Sequence, residues 1–137
     1  MKIEINKLTS DKIDVGFLKR VAKKTLKLMK LNIINLSIAV VDDAQIKVLN
    51  KKYLKRNRVT DVLAFDYGLP FGGQGEIIIC LPQAKRQAKK LGHSFKKELA
   101  ILLIHGILHL VGYNDETKKD FNKIEKKQKE VCQKIIS

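Results

Sequence analysis

At 137 residues the chain can bury a hydrophobic core without disulfides, and two cysteines, Cys80 and Cys132, exclude a disulfide scaffold. No apolar run approaches membrane-spanning length, and the charged, strand-like N-terminus does not read as a signal peptide, so one domain over residues 1–137 in a reducing cytoplasm is expected. The net charge of +14, from 28 basic and 14 acidic residues, repels cationic partners and suits a polyanion such as nucleic acid. A lysine-rich composition also produces solvated basic faces with no partner. Here, however, residues 15–41 and 77–97 contain no acid, and Lys51, Lys52, Lys55, Arg56 and Arg58 crowd together. That clustering favours a phosphate-binding surface.

Lys2 to Asn6 alternates Ile3 and Ile5 with polar residues, which predicts a short strand with one buried face. Ser10 and Asp11 offer caps for a helix from about Ile13 to Met29, with Leu18, Val21, Ala22, Thr25, Leu28 and Met29 inward. Its other face carries Lys19, Arg20, Lys23, Lys24, Lys27 and Lys30. Ile33 to Val41 is rich in branched residues and predicts a central strand. Asp42 or Asp43 then starts a helix from Ala44 to about Leu54, with Ile46, Leu49 and Tyr53 inward. Asn50 lies on that stripe, where a buried amide is expected to tie a loop to its helix.

Residues 55–59 form a basic loop and Thr60 to Phe65 a strand. Residues 66–74, with Gly68, Pro70, Gly72 and Gly73, form a loop before a doubly buried strand from Gly75 to Cys80. Pro82 and Gly92 bracket a helix with Ala84, Ala88 and Leu91 inward and Lys85, Arg86, Lys89 and Lys90 outward. His93 reads as an exposed turn residue. Ser94 caps the next helix. Thr117 to Asp120 has the form of a capping box for a last helix reaching about Ile135, with Phe121, Ile124 and Val131 inward. The fold class expected is α+β: a small mixed four-stranded sheet with about five helices packed on it.

The chemistry concentrates in His105-Gly-Ile-Leu-His109-Leu-Val-Gly112-Tyr-Asn-Asp115-Glu. Two histidines four residues apart share one helix face, one turn apart, and can offer two nitrogens to one metal ion. Alone, such a pair is more often a buried, hydrogen-bonded one. Gly112 marks a left-handed helix end, and Asp115, six residues beyond His109, can return an oxygen to the same ion. Two His and one carboxylate leave a fourth zinc position open for water, as in a catalytic site. Glu116 also lies past the turn, but spacing favours Asp115. Glu98, two turns before His105, is at most an outer partner. The spacing approaches that of the metzincin proteases, H-E-x-x-H-x-x-G-x-x-H. Gly106 stands where their general-base glutamate would be, which argues against peptide hydrolysis.

The stretch resembles the signature of the YbeY family of bacterial rRNA-maturation endoribonucleases, H-G-x-L-H-L-x-G-Y-D-H. His105, Gly106, Leu108, His109, Leu110, Gly112 and Tyr113 match it; Asn114 and Asp115 stand where the family has Asp and His. Upstream, Leu49, Asn50, Tyr53, Thr60, Asp61, Val62, Leu63 and Phe65 match L-N-x-x-Y-R-G-K-D-x-P-T-D-V-L-S-F. The family's active-site arginine after the tyrosine is Leu54 here and its proline is Val59, which leaves Arg56 as the candidate catalytic cation. Thr60 and Asp61 are expected to fix the loop through side-chain to backbone bonds.

The resemblance covers roughly residues 49–116. It implies a metal-dependent endoribonuclease cutting single-stranded RNA in 16S rRNA 3′-end maturation and ribosome quality control. One zinc, or nickel in its place, would sit on His105, His109 and Asp115. Precursor 16S rRNA and the ribosome or its small subunit would be the partners. Lys55, Arg56 and Arg58 of the basic loop, with Lys85, Arg86 and Lys89, are the candidate contacts to the RNA backbone. Few aromatics and no tryptophan leave little for base-specific stacking. Two other readings stay open: a non-catalytic rRNA-binding assembly factor with a structural metal, and a metal hydrolase of a small phosphorylated or amide substrate.

Overall fold

The computed structural model describes residues 2–54, 61–67 and 73–136. Lys55, Arg56, Arg58, Val59 and Thr60, the loop residues Gly68, Pro70 and Gly72, and the Tyr53 side chain lie outside that description. The elements are β1 (Lys2–Lys7), α1 (Val15–Leu28), β2 (Asn35–Val41), α2 (Asp43–Leu54), β3 (Val62–Tyr67), β4 (Gln74–Cys80), α3 (Leu81–Leu91), α4 (Phe95–Val111) and α5 (Lys118–Ile135). The strands form one mixed sheet in the order β1-β2-β4-β3, in which β3–β4 is the antiparallel pair. This is the expected α+β architecture.

The sheet carries apolar clusters on both faces because its central strands have no solvent side. Period two in β4 sends Ile77 and Ile79 to the larger cluster, where they meet Leu36, Ile38 and Val40 of β2. Ile78 and Cys80 turn the other way, to Val41, Leu63 and Ile46 of α2. Each fully buried isoleucine contributes roughly 1.5–3 kcal/mol relative to its exposed state. Helix α4 is apolar around most of its circumference, with Leu99, Ala100, Leu102, Leu103, Ile104, Ile107, Leu108 and Leu110 buried. A helix of that kind belongs inside, and α4 packs against α1, α3, α5, β3 and β4.

Local chemistry fixes the helix ends. Asp42 Oδ1 accepts from the Gln45 N–H (2.8 Å) and Gln45 Oε1 from the Asp42 N–H (2.9 Å), a reciprocal cap for α2. Ser94 Oγ accepts from the Lys97 N–H and Thr117 Oγ1 from the Asp120 N–H, as expected. Helix α1 begins two residues later than expected, because Asp14, rather than Ser10 or Asp11, accepts from the Phe17 N–H (2.9 Å). The buried Thr25 hydroxyl donates to the Val21 carbonyl (2.7 Å). Leu26, four residues after Ala22, continues the α1 stripe. Leu28 is turned away by about 200° from Leu26 and is exposed.

Two further inward expectations fail at element ends. Leu91, in the last turn of α3, is 63% exposed and Phe121, in the first turn of α5, is 48% exposed. His93 is no free turn residue: its Nε2 lies 2.6 Å from Glu98 Oε1, with the side chain 20% exposed. Gln87 Nε2 donates to the other Glu98 oxygen (2.8 Å). A carboxylate at 2% exposure needs such partners, and this one pins the α3–α4 turn beside Gly92 (φ 72°). Among the described residues no helix is long and apolar enough to cross a membrane.

Gly106 faces Ile77, and a Cβ at 106 would lie 2.9 Å from Ile77 Cγ2. Gly106→Ala should therefore lower stability by about 1–2 kcal/mol, since overpacking outweighs the gain in helix propensity. Chemical denaturation checks this, and the penalty should shrink in an Ile77→Ala background. Burial pushes the Cys80 thiol up to about 12 and the Cys132 thiol up to about 11. Iodoacetamide at pH 8 should then modify Cys80 about a thousandfold more slowly than a free thiol, until denaturant opens the core.

Candidate metal centre

Both histidines stand on the last two turns of α4, half-buried, between fully buried neighbours Ile104, Ile107 and Leu108. Their rings meet edge to face, with centroids 4.7 Å apart at 74°. His105 Nε2 and His109 Nε2 are 3.0 Å apart. Two nitrogens on a tetrahedral zinc at its usual bond length are about 3.3 Å apart, so the pair needs little movement to share an ion.

The helix ends where the sequence says it should. Gly112 adopts φ 121°, and its N–H donates to the His109 carbonyl (3.1 Å). The Tyr113 N–H donates to the Leu108 carbonyl (3.0 Å). Such crossed bonds reverse the chain. Asn114 Oδ1 then accepts from the Glu116 N–H (3.1 Å), shaping the turn that carries the exposed Asp115. One donor atom from each of His105, His109 and Asp115 falls within 4.8 Å of the others. Among the described residues this is the one such group able to hold a metal ion, and Glu116 is not in it.

Electrostatics favour the ligand form of His109. Its pKa is lowered, first by burial and then by the neighbouring His105. Asp115, a backbone hydrogen bond with Tyr113, and Asp61 pull it back up. A neutral imidazole is the form a metal takes. Asp61 Oδ1 accepts from the Val62 N–H (2.8 Å) and its carbonyl from the Cys80 N–H (2.8 Å), while the loop it is expected to fix lies outside the described residues. The Asp61 charge also reaches His109. The other partner that sequence reasoning missed is Gln128 of α5, whose Oε1 lies 2.6 Å from His105 Nδ1. No spacing rule links residues 23 positions apart on separate helices.

The basic candidates divide. Lys55, Arg56 and Arg58 lie outside the described residues. Lys85 pairs with Asp11 (3.0 Å) and sits over the Phe95 ring. Arg86 forks onto Asp43 (2.8 and 3.0 Å) and also bonds Gln83, and its guanidinium lowers the Asp43 carboxyl pKa. Lys89 is exposed, with no ion pair among the described residues. Glu98, committed to His93 and Gln87, has no bond to His105. Beside the ligand turn lies a cavity of about 280 Å³ lined by Val111, Gly112, Tyr113, Asn114, Asp120 and Lys123.

A family model described as Endoribonuclease YbeY matches residues 3–136. The Endoribonuclease YbeY of Aquifex aeolicus is 39% identical over 132 residues, covering 91% of this chain and 85% of its own. That of Sulfurihydrogenibium sp. is 39% identical, with 90% and 84% covered, and that of Phytoplasma australiense 36% identical, with 98% and 96% covered. The solution structure of a Thermotoga maritima protein aligns with a TM-score of 0.61 at 28% identity, over 98% of this chain and 91% of that one. With nearly its whole length matched, from Ile3 to Ile136, this chain belongs to the endoribonuclease YbeY family.

Proposed function

We propose that the chain is a metal-dependent endoribonuclease that cuts single-stranded RNA, with the 3′ end of precursor 16S rRNA as its substrate. Ribosome quality control in the cytoplasm, with the small subunit as partner, is its setting. Family membership supports a hydrolytic nuclease acting in rRNA processing. The observation that carries the metal dependence is the convergence of His105, His109 and Asp115 within 4.8 Å.

In this reading the two Nε2 atoms and one Asp115 oxygen hold a divalent ion, and zinc suits that donor set. Such an ion supplies Lewis acidity and a nucleophilic water at neutral pH. The chain does the rest. The helix end with Gly112 and Tyr113 presents the ligand turn, and burial keeps His109 neutral. Arg56, with Lys55 and Arg58, offsets charge developing on the phosphodiester. Lys118, Lys119, Lys123 and Lys126 begin α5 just past the turn, with no acid partner among the described residues, and line a shared surface hollow. They attract an RNA backbone without reading its sequence. Lys85 and Arg86 first have to leave Asp11 and Asp43 to do the same, which makes Lys89 the freest of the three candidate contacts on α3. A protease is disfavoured by packing: position 106, where a metzincin base would stand, faces Ile77.

Elemental analysis of the purified protein should find about one zinc or nickel per chain, lost in Asp115→Ala and kept in Asp115→His. Cleavage of single-stranded RNA should stop with a chelator, return with zinc, and fall at least about a hundredfold in His109→Ala, since metal charge stabilisation is worth several kcal/mol. RNA binding with no metal-linked cleavage would turn the reading to the assembly factor. Hydrolysis of small phosphoesters without RNA binding would turn it to the small-substrate hydrolase.

A further inference from the structure

Gln128 occupies an unusual place on α5. Ile124, Gln128 and Val131 follow the i, i+4, i+7 spacing of the helix's inward stripe, and Ile124 and Val131 are buried. An apolar residue is the norm at such a position, and a polar one needs a partner that accounts for it. Its partner is His105 Nδ1, 2.6 Å from Oε1.

We infer that Gln128 is a positioning residue of the metal centre, holding His105 in the one tautomer that can ligate through Nε2. The inference rests on the metal-centre reading above. A glutamine carbonyl oxygen only accepts, so the proton between the two groups belongs to His105 Nδ1. A neutral imidazole carries one proton, and Nε2 is left with its lone pair. That nitrogen is the one turned toward His109 Nε2 at 3.0 Å. With the proton on Nε2 instead, the ring would direct an N–H at the ion. The hydrogen bond also fixes the ring plane, because it anchors the imidazole from the side opposite the metal. Gln128 therefore joins α5 to the centre through an atom the ion does not use.

Gln128 also lines an open groove of about 460 Å³ with Ile101, Lys126, Lys129 and Cys132. A substitution there has room to be accommodated, which separates its effect on the ion from its effect on the fold.

The test is zinc affinity by chelator competition on the purified full chain. Gln128→Leu should weaken zinc binding about 10–100-fold, the usual effect of losing an outer partner of a ligating histidine. Gln128→Glu, which keeps an acceptor oxygen and makes it more basic, should bind at least as tightly as the wild type. In the metal-free protein, ¹⁵N NMR should report the proton of His105 on Nδ1 in the wild type and in Gln128→Glu, and on Nε2 in Gln128→Leu. Equal thermal midpoints of the metal-free proteins would show that packing is not the cause. A wild type that holds zinc beside a Gln128→Leu variant within twofold of it overturns the role of Gln128 and leaves the metal centre standing. A wild type that takes up no zinc overturns both. If Gln128→Leu fails to fold, a Gln128→Glu that binds tenfold more weakly than wild type overturns the proposal on its own.

Discussion

Gly106 resting on Ile77 is the contact from which the centre takes its position. Without a side chain at 106, the backbone of α4 settles against β4 until Ile77 fills the gap. Gly75 does the converse from the strand: a Cβ there would lie 2.7 Å from Leu110 Cδ1. A helix glycine facing a strand isoleucine and a strand glycine facing a helix leucine, four residues apart on α4, leave that stretch little freedom to slide or roll. His105 adjoins the first contact, and His109 precedes the second by one residue. Both imidazoles thus stand on backbone fixed by the core, which places ligand atoms more exactly than a loop can.

The third donor follows a different principle. Asp115 lies on an exposed turn held by crossed backbone bonds at Gly112 and Tyr113 and by the Asn114 side chain. The core sets the histidine pair, and the turn brings the Asp115 carboxylate to within 4.8 Å of it. Charge is divided in the same way. The chain is strongly cationic as a whole, yet the acids Asp61 and Asp115 are felt at His109. Lysines begin immediately beyond the turn on α5. A polyanion is thus drawn to the neighbourhood by the surface, while a cation is favoured at its centre. Elsewhere, exposed pairs such as Arg86–Asp43 add little stability, on the order of 0–1 kcal/mol. Their main effect is to occupy basic side chains that composition alone would assign to RNA.

The fold and the histidine pair were legible because both rest on short-range periodicity. Period two in β4, the continuous apolar stretch of α4 and the His-x-x-x-His spacing each express one element's own geometry. Gly112 was legible because a helix end demands a backbone that few residues adopt. The misjudged residues lie where an element stops. Leu91 and Phe121 fit the helical period, yet both stand in terminal turns and are exposed. Leu26 continues the helical period from Ala22 and is buried, whereas Leu28, two residues on, falls on the other face. His93 was misread because its partner, Glu98, belongs to the next helix. Gln128 is the extreme case: its meaning depends on where α5 docks, and no pattern within α5 encodes that.

The contact that fixes the centre also limits its chemistry. In a metzincin the residue after the first histidine supplies the base. Here that position points into the sheet, and any side chain beyond hydrogen meets Ile77 at once. The helix that carries the histidine pair therefore has no room at position 106 for a group to take the proton. Its remaining polar residue near the inner core, Glu98, is about two turns away and already committed to His93 and Gln87. Under the proposed hydrolysis, proton transfer would be served from another element, and β3 is one that packs against α4. Asp61, at the start of β3, is the described carboxylate outside the ligand set whose charge reaches His109. One Oδ1 bond from the Val62 N–H holds it. Packing α4 this tightly on β4 leaves no room for a base at position 106, so the described carboxylate whose charge reaches His109 from outside the His105–His109–Asp115 group, Asp61, stands off the helix.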